Sequence, residues 1–318
     1  MKPRIPRVTT ILLRRLARAL SRHLPLAISG DGRGVHQARV ASRRLREAVP
    51  VLSTGLSGSK AGRTVRTIRR LTRALGTVRE LDVTLVLLDE LVRAPDVSPV
   101  AIEAVRAFVV EERSARREVM LKRLGRLKPE KLDRRIASVG SALEGATGEP
   151  WRKALSARLL KRCRRLNEAM DAAGHMYDPE RLHGVRIAAK KLRYGLELAS
   201  DGGVSQAGPL VRSLKRVQDL LGKLHDLQVL QTYIAGVQIA QSASRSEPRA
   251  ALGELARHVE DQCRHLHGRY VALAPNLRGV TIATRKAIVP QLAHVAPRKP
   301  LKMSLPAHVS GQRAVGSR

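Results

Sequence analysis

The residues of this sequence best suited to chemistry lie between Val35 and Arg46. His36, Arg39 and Arg43, followed by Arg46, recur at spacings of three, four and three residues. On an α-helix these spacings place the side chains on one face, so the stretch predicts an imidazole beside three guanidiniums. Guanidiniums form paired hydrogen bonds with phosphate and carboxylate oxygens. The predicted chemistry is therefore the binding of an anion.

A second copy of this pattern begins 147 residues later. His183, Arg186, Lys190 and Arg193 stand at the same spacings, so a second helix carries an equivalent cationic face. An imidazole with the ordinary pKa near 6.5 can donate to an anion while neutral, and it binds the anion more strongly when protonated. The sequence shows no base–nucleophile arrangement around either histidine, which favours contact with a ligand over catalysis.

The repeat extends well beyond these two helices. The stretch 65–76 aligns with 211–222 at an offset of 146 residues, and 12–18 aligns with 159–165. A nearly constant offset of this length is too long for a solenoid repeat. It predicts a tandem duplication of a whole domain.

Helical periodicity, with glycine and proline at the breaks, predicts an all-α fold without a β-sheet. We expect tandem duplicated four-helix bundles, with the same order of helices in each half. The predicted helices span 8–23, 35–53, 60–93 and 98–125 in the first half, 129–144 between the halves, and 151–173, 179–200, 207–240 and 247–273 in the second half.

The predicted domain boundaries follow from these helices. The first half covers 1–126, a helical linker covers 127–150, and the second half covers 151–275. Beyond about residue 275 the helical pattern weakens, so 276–318 is interpreted as a basic C-terminal extension. Its last part, 296–318, is basic and contains Pro, Gly and Ser, which predicts disorder.

Further stripes of basic residues follow the first and third helices of each half, mostly without acidic residues three or four positions away. Like charges so spaced cost about 0.2–0.5 kcal/mol per pair on an exposed helix, so stripes without acidic partners predict a polyanionic ligand. The candidate binding residues of the whole chain are Arg14, Arg15, Arg18, His36, Arg39, Arg43, Arg44, Arg46, Arg66, Arg69, Arg70, Arg73, Lys161, Arg162, Arg165, His183, Arg186, Lys190, Lys191, Arg193, Arg212, Lys215 and Arg216.

Two glycines and two acidic residues complete the repeated pattern. Gly76 and Gly222 lie within predicted long helices, so either a neighbouring helix approaches closely there or a ligand needs the room. Glu80 and Asp226 follow one turn later on the same face, where we expect each to orient a neighbouring guanidinium through a hydrogen bond.

The composition indicates the same class of ligand. A net charge of +33 favours nucleic acid, an anionic membrane surface or polyphosphate as a partner. Aromatic residues make up only 2% of the chain, which argues against the stacking platforms that read single-stranded bases. The two cysteines lie far apart, so the sequence predicts neither a disulfide framework nor a metal site. This cysteine usage favours a reducing compartment. No stretch is apolar enough to span a bilayer or to serve as a signal-peptide core.

The paired histidine motifs, together with the Leu75–Gly76 and Leu221–Gly222 blocks that follow them, resemble the CHAD domain, the conserved histidine α-helical domain. The resemblance covers about residues 8–275. It implies two four-helix bundles related by a pseudo-twofold axis, a central basic groove or pore that binds inorganic polyphosphate, and association with polyphosphate granules. By position, it assigns to the ligand face His36, Arg39, Arg43, Arg46, Arg69, Arg73, His183, Arg186, Lys190, Arg193, Lys215 and Arg216.

The sequence departs from the family pattern at two places. Glu80 stands where the family usually has Asp, and Lys190–Lys191 replaces a pair of arginines. Lysine keeps the charge but loses the bidentate geometry of a guanidinium, so we expect the second half to bind phosphate less specifically.

These patterns favour a cytoplasmic polyphosphate-binding protein and not an enzyme. The sequence contains no Gly-rich phosphate loop and no strands of the CYTH domain to which CHAD domains are often fused, and we expect no metal or cofactor. Two alternatives stay open: sequence-nonspecific, weak nucleic-acid binding, and a polyphosphate-processing enzyme that uses His36 or His183. The oligomeric state is also left open.

Overall fold

The computed structural model describes residues 8–56, 60–145, 148–240 and 248–293. Within these ranges the chain is all-α and contains no strand. The first half contains α1 (Val8–Ile28), α2 (Gly32–Leu52), α3 (Lys60–Ala74), α4 (Gly76–Leu91) and α5 (Pro99–Gly125), and is followed by α6 (Pro129–Gly145). The second half contains α7 (Pro150–Ala173), α8 (Pro179–Asp201), α9 (Ala207–Ala240), α10 (Pro248–Ala283), a π-helical turn (Thr284–Ile288) and α11 (Val289–Ala293).

Local sequence determines where α2 and α8, the two helices with the histidine motifs, begin. The Asp31 carboxylate caps α2 by accepting a hydrogen bond from the Gly34 N–H at 2.5 Å. The Asp178 carboxylate caps α8 by accepting from the N–H groups of Glu180 and Arg181 at 3.0 Å. Such a cap satisfies backbone donors that the first turn leaves free and is worth about 1 kcal/mol. Both histidines therefore lie close to a well-defined helix start.

Apolar stripes on the helices join into one hydrophobic core. The two halves use the same pairs of neighbours within it. α1 packs on α2 as α7 packs on α8, α2 packs on α3 as α8 packs on α9, and α4 packs on α5 as α9 packs on α10. This order agrees with the duplication in the sequence. The pseudo-twofold relation between the halves stays a prediction.

The third helix of the first half is broken, although the sequence predicts one helix over 60–93. α3 ends at Ala74, Leu75 forms a turn, and α4 begins at Gly76. In the second half, α9 continues without a break through Gly222. A glycine weakens either helix by about 1 kcal/mol, so packing decides the outcome. α3 packs on α2 and α6, whereas α4 packs on α5 and α9.

The sequence predicts that the last long helix ends near residue 273, but in the structure it continues further. α10 continues to Ala283 and passes through the π-helical turn into α11. Residues 276–293 are therefore part of the core, and not the start of an extension. Pro275 lies inside α10, where a proline ordinarily interrupts a helix, so the sequence pattern places the end of the helix too early. The buried apolar residues of the segment are Leu277, Val280, Ile288 and Leu292.

This C-terminal segment occupies the place in the second half that α6 occupies in the first. α6 packs on α1, and the π-helical turn and α11 pack on α7. The buried residues Leu132 and Val280 are 148 positions apart, and the buried Val139 and Ile288 are 149 apart. The π-helical turn between them accounts for the extra residue, because its hydrogen bonds span one residue more than those of an α-helix. The helix of the predicted linker and the described part of the predicted extension, 276–293, are thus equivalent elements.

Arg162 joins three helices and belongs to the core. Its side chain, which the sequence assigns to ligand binding, is only 10% exposed and pairs with the Glu47 carboxylate of α2. It also donates to the Lys191 carbonyl oxygen of α8 at 2.6 Å. Burial lowers the pKa of Arg162, and the charge of Glu47 opposes that shift. The Arg162 guanidinium therefore fixes α7 against α2 and α8.

Two sequence predictions concern membranes and disorder. The segment 296–318, for which the sequence predicts disorder, lies outside the described residues. In the part of the chain that the structure describes, none of the helices combines the length and the apolar character needed to cross a bilayer.

Replacing Glu47 with Ala should lower the free energy of unfolding by about 3 kcal/mol, because Arg162 then stays buried without a counter-charge. Urea unfolding followed by circular dichroism measures the change. The double variant Glu47→Leu/Arg162→Met should recover most of the loss, since no charge is left buried. Equal losses in the single and double variants would show that the charge of the pair is not responsible.

Candidate functional site

A cavity of about 570 Å³ opens between the two halves of the chain. It is lined by α2 and α4 from the first half and by α8 and α9 from the second half. Both helices with the histidine motifs thus face the same space. The basic side chains of its lining are His36, Arg39, Arg43, Arg79, Arg186, Lys190, Lys223 and His225.

The cations at the centre of this cavity lack counter-charges. Arg39, Arg43, Arg79, Arg186 and Lys190 are all partly buried, and none is paired with a carboxylate within the described ranges. Partial burial removes water from each charge, and the protein supplies no ion pair in exchange. An anion in the cavity would be the missing partner.

The mutual repulsion is strongest at Lys190. Burial, followed by the charges of Arg186, Arg43 and Arg39, lowers the pKa of Lys190 from 10.5 to about 7. Burial and repulsion by Arg43 likewise lower the pKa of Arg39 to about 10. Burial also lowers the pKa of Arg186, against the attraction of Asp226. Near neutral pH, Lys190 is therefore protonated in only part of the molecules.

Acidic residues line the same cavity without neutralising its centre. Glu80, Glu90, Asp219 and Asp226 belong to the lining, and Glu90 pairs with Lys223 at 3.7 Å. The expectation that Glu80 and Asp226 each hold a guanidinium by a hydrogen bond is wrong, since neither carboxylate makes such a bond among the described residues. Burial raises the pKa of Asp226, and the charge of Arg186 opposes that shift. Asp226 thus attracts Arg186 electrostatically, without an ion pair or a hydrogen bond between the two side chains.

The two motif histidines occupy different surroundings. His36 lines the cavity, and burial together with Arg79 and Arg39 lowers its pKa. His183 does not line the cavity and instead contacts His225, with the two Nδ1 atoms 3.4 Å apart and the ring centroids 4.7 Å apart. Burial and the charge of Arg186 lower the pKa of His225 to about 4. In the second half, the imidazole that faces the cavity is therefore that of His225 on α9, in its neutral form, and not that of His183 on α8.

The two equivalent glycines serve different purposes. A Cβ atom on Gly76 would lie 2.8 Å from Nη1 of Arg39, so the absence of a side chain makes room for that guanidinium. A Cβ atom on Gly222 would meet nothing within 4 Å, and Gly222 lines the cavity. Gly76 thus accommodates a cation of the site, whereas Gly222 leaves the wall of the cavity open.

The last cations of each motif are used to hold helices together. Arg44 of α2 reaches Glu197 of α8 at 3.4 Å, and Arg193 donates to the same carboxylate at 2.6 Å. Arg193 also donates to Oε1 of Gln218 at 2.7 Å, which fixes α8 on α9. Arg46 lies 3.6 Å from Glu47, its neighbour on the same helix. The structure therefore places His36, Arg39, Arg43, Arg186 and Lys190 in the lining of the cavity, whereas Arg44 and Arg193 join helices around it.

The predicted residues on the first helix of each half do not reach the cavity. Arg14 pairs with Glu144 at 2.5 Å, and Arg15 pairs with Asp201. These pairs attach α1 to α6 and to the end of α8. The remaining candidates from these helices are exposed outside the cavity: Arg18, Lys161 and Arg165.

The predicted residues on the third helices also lie outside the central cavity. Arg70 and Arg73 line a separate depression beside Arg123 and Arg126, and Arg216 lines a groove between α9 and α10. The other candidates on these helices, with Lys191 of α8, are exposed on the surface: Arg66, Arg69, Arg212, Lys215 and Lys191.

Sequence reasoning missed three basic residues of the cavity: Arg79, Lys223 and His225. Lys223 and His225 stand next to the glycine and aspartate of the second repeated block, and Arg79 precedes Glu80 of the first. A search of the residues around those blocks, and not only of the basic stripes, would have found them.

The arrangement is suited to holding an extended anion by charge and hydrogen bonds. Three guanidinium-bearing helices converge on the cavity, and its lining contains no Phe, Tyr or Trp. Over the described ranges, no group of three His, Cys, Asp or Glu side chains is placed to hold a metal ion.

Comparison with known proteins identifies the fold. The CHAD domain family model matches residues 11–235. The crystal structure of the CHAD domain from the plant Ricinus communis is 21% identical and has a TM-score of 0.50, with 90% of this chain and 89% of that chain covered. PptA from Streptomyces chartreusis is 16% identical and has a TM-score of 0.61, with 84% and 98% covered. No curated protein matches the chain.

Replacing Lys190 with Met should raise the melting temperature at pH 7 by at least about 2 °C, the shift that corresponds to ~1 kcal/mol in a chain of several hundred residues. The pKa of Lys190 is lower in the folded chain than in the unfolded chain, so the unfolded chain binds more protons between about pH 7 and pH 10.5. Lys190 should therefore make the wild-type free energy of unfolding rise as the pH increases from about 7 to 10.5.

Thermal unfolding across this range of pH, compared between wild type and Lys190→Met, isolates the contribution of Lys190. The exposed neighbour Lys191, changed to Met, is the matched control and should keep the wild-type pH dependence. An unchanged pH dependence in Lys190→Met would contradict the assignment.

The glycine substitutions Gly76→Ala and Gly222→Ala should differ in effect, the first on anion binding and the second on stability. Gly222→Ala adds a methyl group in open space within a helix and should stabilise the fold by about 1 kcal/mol. Gly76→Ala must displace the Arg39 guanidinium and should weaken the binding of an inorganic polyanion about tenfold, the loss of roughly one charged hydrogen bond. Chemical unfolding and titration with tripolyphosphate measure the two effects, and equal behaviour of the two variants would refute the distinction.

Proposed function

The chain belongs to the CHAD domain family, and from this membership and the cationic cavity we propose that it binds inorganic polyphosphate. The observation that carries the proposal is the group of partly buried cations, Arg39, Arg43, Arg79, Arg186 and Lys190, that face one cavity without carboxylate partners. A chain of phosphates supplies repeated negative charge and oxygen acceptors over the whole length of such a cavity.

The lining favours a phosphate chain over nucleobases as the group recognised. Base recognition in single strands uses aromatic or guanidinium stacking on exposed ring faces. No Phe, Tyr or Trp lines the cavity, and its guanidiniums converge from opposite walls. Nucleic acid is therefore the second candidate, supported by the net charge of +33 alone.

We propose binding and not turnover. Phosphoryl transfer needs a metal ion held by convergent carboxylates or an activated nucleophile. The carboxylates of the cavity do not converge into a three-ligand site in the described ranges, and His36 and His183 are not placed together in the lining. A protein that holds polyphosphate in this way would associate with polyphosphate granules in the cytoplasm, and that association is part of the proposal.

The double variant Arg39→Gln/Arg186→Gln should weaken tripolyphosphate binding in the cavity at least about 100-fold, because each guanidinium contributes charged hydrogen bonds of about 1.5–3 kcal/mol. Removing two repelling charges should leave the melting temperature unchanged or higher, so a loss of binding does not reflect unfolding. The matched control, Lys153→Gln/Arg257→Gln, changes two exposed cations on other helices and should bind like wild type. Calorimetric titration measures all three proteins.

The salt dependence and a competition experiment separate the candidates. Six Lys and Arg residues line the cavity, so log K should fall with log salt at a slope of about −4 for a ligand that fills it. Duplex DNA that displaces polyphosphate at equal phosphate concentration and physiological salt would favour the nucleic-acid alternative. Shortening of the polyphosphate on a gel, lost in His36→Ala, would show an enzyme.

A further inference from the structure

A second concentration of cations lies on the outside of the first half. A groove of about 540 Å³ is bounded by α3 on one side and by α6 with its preceding residue Lys128 on the other. We call it the outer groove. All its charged lining residues are basic, whereas the central cavity includes four carboxylates. They are Lys60, Arg63, Lys128, Lys131, Arg134 and Arg135.

A depression of about 420 Å³ is lined by the next part of α3, after the residues that line the outer groove. Its four charged lining residues are also basic: Arg70, Arg73, Arg123 and Arg126. Leu127 lines the depression and Lys128 lines the groove, so consecutive residues between α5 and α6 contribute to the two spaces. Together they accompany α3 from Lys60 to Arg73, and α3 is about 22 Å long at ~1.5 Å per residue.

Two of the three acidic residues of α6 face α1, and the third, Glu130, is exposed in the first turn and does not line the groove. Asp133 accepts a hydrogen bond from Ser21 of α1 at 2.9 Å, and Glu144 pairs with Arg14 of α1 at 2.5 Å. The cations of α6 instead face α3. There Arg135 donates to Oγ1 of Thr67 at 2.6 Å and fixes one wall of the groove against the other.

This separation leaves the outer groove without counter-charges. Within the part of the chain that the structure describes, none of its six cations is paired with a carboxylate. Exposed arginines elsewhere do pair along their own helix, as Arg116 does with Glu112 at 2.6 Å. A surface that served only solubility would mix the two signs, because like charges so spaced repel.

We propose that the outer groove and the depression that follows it along α3 form a second polyphosphate-binding site, separate from the central cavity. The proposal rests on the proposed function of the cavity in one respect, the identity of the ligand. Ten basic residues without lining carboxylates or aromatic rings suit a phosphate chain held by charge alone. A long chain, or two chains, then occupies both sites, whereas tripolyphosphate occupies each site independently.

The variant Arg63→Gln/Lys131→Gln/Arg134→Gln, which we call the track variant because it changes the outer groove along α3, tests the second site. It removes three cations of the outer groove and keeps Arg135, whose bond to Thr67 is structural. The matched control Lys153→Gln/Arg249→Gln/Arg257→Gln removes two arginines and one lysine from exposed positions of α7 and α10. Each protein is titrated with long-chain polyphosphate at several salt concentrations.

The track variant should bind long-chain polyphosphate at least tenfold more weakly than the control. Its slope of log K against log salt should be less steep by about 2, because three fewer phosphates are neutralised. Equal affinity and slope in the track variant and the control would overturn the proposal. A track variant that loses duplex DNA binding but keeps polyphosphate binding would also overturn it and would assign the groove to nucleic acid.

Comparison with the cavity variant Arg39→Gln/Arg186→Gln separates this proposal from the proposed function. If both sites exist, each variant loses part of the binding, and their combination loses nearly all of it. Loss of all binding in the cavity variant, with none in the track variant, would refute the second site alone. Loss in the track variant only would refute the cavity and leave the second site standing. Unchanged melting temperatures confirm that each variant is folded.

Discussion

The repulsion among the cations of the central cavity is the constraint on which the rest of this structure depends. Arg39, Arg43, Arg186 and Lys190 are brought together from two helices, although burial and the charge of Arg43 lower the pKa values of the other three. Hydrophobic packing on the other faces of α2 and α8 supplies the free energy that keeps them together. The ion pairs of Glu47 with Arg162 and of Glu197 with Arg44 connect helices around the cavity. Glu47 and Glu197 are thus engaged in these connections, and the cations of the centre form no ion pair within the described ranges.

Much of this organisation was predictable from sequence, because it depends on periodicity. The repeat, the all-α class and the helices with the motifs all follow from residue spacing, and so does the choice of Arg39, Arg43, Arg186 and Lys190 as a group. A helix face is a local property, so a regular pattern of charge and apolar residues is enough to define it.

What was not predictable depends on contacts between distant segments. Arg162 and Arg165 belong to the same basic stripe of α7, yet Arg162 is buried against Glu47 while Arg165 is exposed. His36 and His183 occupy equivalent motif positions, yet only His36 lines the cavity. The helix also breaks before Gly76 and not at Gly222, because the two helices have different neighbours. Equivalent positions in a repeat therefore share a local conformation without sharing an environment.

The lining of the cavity comes from both halves of one chain: α2 and α4 provide one side, and α8 and α9 the other. A site built between two separate subunits is lost on dilution, since its existence depends on the concentration of both. Here the two halves are covalently connected, so the concentration of one half around the other is set by the chain and not by the amount of protein. The site therefore persists in a single molecule, however scarce the protein is, and its occupancy varies with the concentration of the ligand alone.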